Sequence, residues 1–193
     1  DVYKRQAHPC QALADLFTLR ELQGTQRPLK LAFIGDGNNV SRSLAIACCK
    51  LGVSFALAAP HHYQLESSLI DRLRREYPEC SLQQTEDPTE ALQHASAVYT
   101  DVWSSMGFES EAERRNRDFA SYQVNAKMMS SAPADALFMH CLPAHRGQEV
   151  TDDVIDGPQS VIVQQAANRM HLQKGLMVWL EQQNRSGVTG ETA

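Results

Sequence analysis

A thiol, two imidazoles and a guanidinium crowd around a proline in His140-Cys141-Leu142-Pro143-Ala144-His145-Arg146-Gly147, directly after the apolar run Ala136-Leu137-Phe138-Met139. A short apolar run that ends in reactive residues reads as a buried strand emptying into a loop. In open α/β sheets ligands bind at such carboxyl ends. Two more segments have the same form. Leu29 to Ile34 runs into Gly35-Asp36-Gly37-Asn38-Asn39, and Ala97 to Thr100 runs into Asp101-Val102-Trp103-Ser104-Ser105-Met106-Gly107. If the three strand ends share one rim, Asp36, Asn38, Asn39, Asp101, Ser105, Met106, Cys141 and Leu142 converge there. That set suits a zwitterionic amino acid, because a carboxylate holds an ammonium group while amides, hydroxyls and backbone N–H groups hold a carboxylate.

Each segment taken alone has a plainer reading. Cys141 can be an ordinary buried thiol beside surface histidines, since free cysteine is among the most buried residue types. Adjacent asparagines are common turn formers, Asp101 can cap the segment after its strand, and His8-Pro9 can be a simple helix start. Gly35 to Val40 also invites a dinucleotide reading. Val40 stands where the third glycine of G-x-G-x-x-G would be, however, and no acidic residue ends the second strand at Ala58-Ala59-Pro60, so that reading is weak.

The elements that must position these residues alternate along the chain. Helical spacing over 9–22, with Pro9 suited to a first turn, precedes a strand at 29–34 and an apolar-rich helix over 41–51 closed by Gly52. Further strands are predicted at 53–58, 81–84, 97–100, 136–140 and 160–163. Helices are predicted at 65–77, 88–94 with Asp87 as N-cap, near 109–118, at 121–131, at 151–156 and finally at 168–184. The alternation predicts an α/β fold, a doubly wound, mainly parallel sheet flanked by helices in three αβα layers, Rossmann-like in outline. The domain expectation is an N-terminal segment and linking helix over 1–22, an α/β domain over 23–185, and a frayed tail over 186–193.

Composition narrows the class. A chain of 193 residues, 42% hydrophobic and 21% charged, fits one globular domain with a real core. The net charge of −5 and the mixing of Lys and Arg with acids, as in Asp71-Arg72-Leu73-Arg74-Arg75-Glu76, argue against a nucleic-acid surface. Five cysteines, odd in number and without a CxxC pair, suggest neither a disulfide framework nor a zinc knuckle, and favour a reducing cytoplasm. No apolar run approaches the roughly 18 to 20 residues that span a bilayer, and no signal-peptide core stands at the N-terminus, so no membrane partner is expected. The chain opens without Met on a short polar stretch, which suggests a fragment whose upstream half is absent.

Five segments, in order, resemble the ornithine carbamoyltransferases over nearly everything from residue 8 to about 182. His8-Pro9-Cys10-Gln11 is similar to the family's His-Pro-x-Gln motif, and Gly35 to Val40 to its Gly-Asp-Gly-Asn-Asn segment. Asp101 to Gly107 looks like its Asp-x-Trp-x-Ser-Met-Gly loop, His140 to Pro143 like its His-Cys-Leu-Pro motif, and Asn168-Arg169-Met170-His171 like the start of its last helix. The resemblance implies carbamoyl transfer from carbamoyl phosphate to the δ-amine of L-ornithine, with no metal or organic cofactor. It implies that His8 and Gln11 contact carbamoyl phosphate, with His8 polarising the carbonyl, and that Arg169 meets the same substrate. It places Asn39, Asp101, Ser105 and Met106 on the α-amino and α-carboxylate groups of ornithine, and Cys141 with the Leu142 backbone against the reacting amine. His8, Asp101, Cys141 and Arg169 are thus the expected catalytic set.

Departures matter as much. The family usually carries Glu-Ala-Glu before Asn-Arg, where this chain has Gln165-Ala166-Ala167, and its Ser-Thr-Arg-Thr phosphate motif stands nowhere in these 193 residues. The expectation is therefore an ornithine-binding domain, inactive or nearly so by itself. The family forms trimers, largely through the domain expected to be missing, so this chain alone is expected to be monomeric. Two rivals remain: a sister transcarbamoylase for acylated ornithine or putrescine, and a non-catalytic amino-acid-binding module.

Overall fold

Five runs of four or five residues form one sheet in the computed structural model, which describes residues 7–24, 26–104 and 111–188. In chain order the elements are α1 (Pro9–Gln23), β1 (Lys30–Ile34), α2 (Asn39–Leu51), β2 (Ser54–Ala58), α3 (Ser67–Glu76), β3 (Leu82–Thr85), α4 (Pro88–Leu92), β4 (Ala97–Thr100), α5 (Ala112–Asp118), α6 (Ala126–Met129), β5 (Leu137–His140), α7 (Asp152–Ile155) and α8 (Ile162–Val188). All neighbouring strands are parallel, in the order β3-β2-β1-β4-β5. Strands buried on both faces read as continuous apolar runs, which is why β1, β2 and β4 stood out in the sequence.

Alternate residues of each strand supply two cores. Leu31, Phe33, Phe55, Leu57, Tyr99 and Met139 pack against α1, α2 and α3, with α8 lying along α1. Ala32, Ile34, Ala56, Ala58, Val98 and Phe138 pack under α4, α7 and the stretch carrying Phe119, Tyr122 and Met129. The result is the three-layer, Rossmann-like α/β fold the alternation implied. Ala12, Leu16 and Leu19 of α1 belong to the first core, so the helix that carries His8-Pro9-Cys10-Gln11 at its start is packed into this body.

Local chemistry sets the helix boundaries. Pro9 opens α1, Asp87 caps α4 through the Thr89 N–H, and Asn38 caps α2 by accepting from the N–H groups of Val40 and Ser41. Gly52 closes α2 in the left-handed conformation, φ 67°, with its N–H on the carbonyls of Cys48 and Cys49.

One predicted element is not formed. The run at Ser160 to Val163 makes a single bridge, Phe138 to Ser160, with hydrogen bonds from Phe138 N to Gln159 O and from Val161 N to Phe138 O. The chain then turns at once into α8 at Ile162, six residues before the predicted helix start. β-branched residues at 161–163 mimicked a strand, but the Val161 carbonyl accepts from Gln165 N, a helical bond, and that commits them to the first turn. The 121–131 helix is likewise shorter than expected, reduced to a 3-10 turn at Ala120–Tyr122 and the one-turn α6.

Candidate functional site

Strand register brings the reactive loops together. Ile34 lies opposite Thr100 and Thr100 opposite His140, so β1, β4 and β5 end level and Gly35, Asp101 and Cys141 leave the sheet side by side. The chain winds from β1 to β2 and β3 in one direction and then returns to β4 and β5 on the other side of β1. Loops after β1 and β4 therefore diverge, which opens a crevice at that switch point.

Asp101 is its centre. One carboxylate oxygen accepts from the Cys141 thiol at 3.1 Å and from the Val102 N–H at 2.8 Å, and the other accepts from the Asn38 side-chain amide at 2.8 Å. Asn38 thus caps α2 with its oxygen and holds Asp101 with its nitrogen. The α2 cap and the Asp101 loop are tied by one side chain. Burial pushes the Cys141 thiol well above its ordinary range, and the Asp101 charge adds to the effect, so the sulfur keeps its proton and donates it to the carboxylate.

Each residue singled out in the sequence can now be placed. Asn39 is the first residue of α2, half-buried, and its side chain has no hydrogen-bond partner among the described residues. Leu142 is exposed at the rim with φ 58°, an unfavourable conformation for a residue with a Cβ, and it precedes a cis bond to Pro143. Ser105 and Met106 lie outside the described residues. His8, Gln11 and Arg169 gather nearby from α1 and α8: the His8 backbone N–H donates to the Ser43 hydroxyl of α2 at 2.8 Å, and Arg169 donates to the Gln11 side-chain oxygen at 2.5 Å. Burial, then the Arg169 charge, hold His8 below the usual imidazole range against a smaller opposing pull from Asp101, so it is neutral at pH 7.

Several residues that shape this rim were given no role by the sequence. His140 is fully buried; its Nδ1 accepts from the Leu142 N–H at 2.9 Å and its Nε2 faces the buried Glu149 carboxylate at 3.3 Å. That bond from the Leu142 N–H holds the left-handed turn. Arg115, 4% exposed at its side chain, donates to Asp36 at 2.6 Å and to the Trp103 carbonyl at 3.0 Å and lies over the Tyr63 ring. It joins the loop after β1 to the loop after β4. Asp15, in the first core, accepts from Gln11, Tyr99 and Gln165. A signal for it existed: an acid three residues after Ala12 and four before Leu19 sits on the apolar face of α1.

Gly37 is required by close approach. Its N–H donates to the Tyr63 carbonyl at 2.6 Å, and a Cβ there would stand 2.7 Å from that oxygen and 2.8 Å from Leu65 N. The departures before Asn168 are also explained by position. Ala167 faces solvent, whereas Gln165 is buried and lends its amide N–H groups to Asp15, where an acidic side chain would have met a second carboxylate.

Asp101, His140 and Cys141 put donor atoms within 4.8 Å of one another, the one such metal-type cluster among the described residues. The Leu142 N–H occupies one imidazole nitrogen and Glu149 faces the other, so a cation there would have to displace one of them.

A parallel doubly wound sheet with a polar crevice at its switch point defines an open α/β ligand-binding domain. Its closest description is more specific, for residues 27–180 match the aspartate/ornithine carbamoyltransferase family, Asp/Orn binding domain, and the chain belongs to that family. It is 49% identical over 175 residues to an ornithine carbamoyltransferase of Anoxybacillus flavithermus, covering 90% of this chain and 56% of that one. The solved ornithine carbamoyltransferase of Pyrococcus furiosus superposes with a TM-score of 0.83 at 48% identity, over 89% of this chain and 55% of the other. An anabolic ornithine carbamoyltransferase from Campylobacter jejuni gives 0.84 at 36% identity, over 92% and 59%. The chain spans about half the length of the relatives it matches. Among the described residues no helix is long and apolar enough to cross a membrane.

Proposed function

We propose that this chain is the ornithine-binding half of an ornithine carbamoyltransferase, which transfers the carbamoyl group of carbamoyl phosphate to the δ-amine of L-ornithine to give citrulline and phosphate. The observation that carries this reading is the Asp101 carboxylate held between Asn38 and the protonated Cys141 thiol, at the level ends of three parallel strands.

In this reading Asn39, Asp101, Ser105 and Met106 hold the α-amino and α-carboxylate groups. The δ-ammonium has a reference pKa of about 10.4 and must lose a proton before its lone pair can attack. Cys141 acts as a hydrogen-bonding wall against that amine, with the Leu142 backbone beside it; its raised pKa argues against a thiolate nucleophile. The amine nitrogen bonds to the carbonyl carbon to give a tetrahedral intermediate, its proton passes by way of the Asp101–Cys141 pair to the phosphate, and the C–O bond breaks as phosphate leaves. Neutral His8 offers one N–H to the carbonyl oxygen as negative charge gathers there, with Gln11 and Arg169 on the phosphate side. The whole enzyme is proposed to be a cytoplasmic homotrimer, with residues 1–22 linking to a carbamoyl phosphate domain.

Calorimetric titration with L-ornithine tests the reading. Saturable binding is expected for the 193-residue chain, with Asp101→Asn losing most of it, and Nα-acetylornithine and putrescine binding worse. Equal binding of all three amines overturns the ornithine assignment. Appreciable citrulline formation by the isolated chain overturns its status as half a site.

A further inference from the structure

The amides of Gln11 and Gln165 each have a donor end and an acceptor end of nearly the same shape, so packing alone does not decide which way either faces. Something must fix them, because both touch groups that tolerate only one orientation. Arg169 is all donor and requires the Gln11 oxygen, which it meets at 2.5 Å; the His140 N–H requires the Gln165 oxygen, which it meets at 3.0 Å.

The fixing group lies between them. Asp15 is fully buried, and its Oδ1 accepts from Gln11 Nε2 and Gln165 Nε2, each at 2.7 Å, while Oδ2 accepts from the Tyr99 hydroxyl at 2.9 Å. An ionised carboxylate is an acceptor only, so both amide nitrogens must turn toward it and both oxygens away. Reversing Gln11 would set its N–H groups against the guanidinium of Arg169. Reversing Gln165 would set them against the His140 N–H, one residue before Cys141. Each reversal opposes donor to donor in a buried place, which is costly.

We propose that Asp15 is a positioning residue that fixes, through the amides of Gln11 and Gln165, both the Arg169 side chain and the His140-Cys141 turn. The reach of this one carboxylate rests on the functional reading above, since it links the residues assigned to carbamoyl phosphate with the thiol assigned to the amine. It acts through other groups and touches neither substrate. Gln165 is then the fitting partner at its position, for it supplies the donor that the carboxylate needs.

Two substitutions separate orientation from charge and from packing. Asp15→Asn keeps an oxygen for both glutamines and can donate its own N–H to the Tyr99 oxygen; Asp15→Leu removes every acceptor. On the full 193-residue chain, three readouts apply: the side-chain amide NMR signals of Gln11 and Gln165, the alkylation rate of Cys141 by iodoacetamide, and the Kd for L-ornithine. Asp15→Asn is expected to keep both amide signals slow to exchange, and to hold the alkylation rate and Kd within about threefold of the parent chain. Asp15→Leu is expected to lose both protected signals and to weaken ornithine binding at least about tenfold while its circular dichroism stays folded. A folded Asp15→Leu that binds like the parent, or an Asp15→Asn as damaged as Asp15→Leu, overturns the proposal. Should Asp15→Leu fail to fold, Asp15→Asn decides alone: retained amide signals and alkylation rate support the role, and altered ones overturn it. Failure of the parent chain to bind ornithine overturns the functional reading only, because the amide and thiol readouts still judge Asp15.

Discussion

The rim and the layer beneath it are built to opposite rules. At the rim Cys141 and Asn39 are half-buried and Leu142 is exposed around the buried Asp101, and Asn39 has a side chain with no partner among the described residues. Beneath it, between α1, α8 and β4, Gln11, Asp15, Tyr99 and Gln165 are buried and bonded to one another. Polar groups at the rim can exchange a bond to water for a bond to a ligand. Those below can exchange with nothing, so each must be satisfied by the fold itself. The rim is therefore where a substitution should cost binding with little stability, and the layer beneath is where stability and binding should move together.

Acid titration probes the lower layer and carries the largest expected effect. Burial pushes Asp15 up to about 6 from an ordinary 3.8, opposed by the bonds from Gln165, Gln11 and Tyr99. An acid whose folded pKa is raised keeps its proton in the folded state through the window from about 4 to about 6, where the unfolded chain has lost it. Stability from this group is therefore full below the window and falls as pH rises through it, by on the order of 3 kcal/mol. Urea unfolding at pH 4, 5, 6 and 7 should show that slope in the parent chain and not in Asp15→Asn. Identical slopes would mean the carboxylate is ordinary.

At the rim, Asn39→Ala should weaken ornithine binding about thirtyfold, or ~2 kcal/mol, while the urea midpoint barely moves. A large loss of stability with intact binding would invert the comparison. Gly37→Ala lies between the two regimes, since its Cβ would meet backbone at Tyr63 and Leu65. It should destabilise by about 1 to 3 kcal/mol and displace the Asn38-Asn39 turn, lowering ornithine affinity as well. Unchanged thermal unfolding of Gly37→Ala would show that the turn can retreat.

The smallest effect is expected where neither rule applies. Arg146 reaches Asp152 and Asp156 in an exposed ion-pair group that follows the His140-Cys141 turn in the chain. Arg146→Ala should leave both the melting temperature and ornithine binding within experimental error, because solvent and salt screen such pairs. A clear shift there would mean the loop after β5 is braced from outside and not only by His140 and Glu149.

Much of the architecture was legible in the sequence. Doubly buried strands such as Leu31 to Ile34, and Ala97 to Thr100 up to its closing threonine, are mainly apolar, and helix punctuation at Pro9, Gly52 and Asp87 is local chemistry. The strand predicted at 160–163 failed because β-branched residues suit either a strand or a buried first helical turn, and only the hydrogen bond from Gln165 N to the Val161 carbonyl decides between them. The candidate site divided in the same way. Asp101 and Cys141 announced themselves as chemically able residues following apolar runs. The bonds that fix them did not: Asn38 and His140 could be named for the rim, but that Asn38 reaches Asp101, that His140 holds the Leu142 N–H and that Gln165 holds the His140 N–H is fixed only when the chain is folded.

What the sequence determined by itself was therefore the five strands of the sheet among the six it suggested, the order of the reactive loops and the likeness that joins them, all of which depend on side-chain type and spacing within a few residues. Only the tertiary structure decided that Ile34, Thr100 and His140 end level, that Asn38 reaches Asp101 across 63 residues, and that Asp15 meets Gln165 across 150. The physical reason is that hydrophobic pattern is a one-dimensional property, whereas the direction of a buried hydrogen bond depends on which donors and acceptors the packed layers leave facing one another.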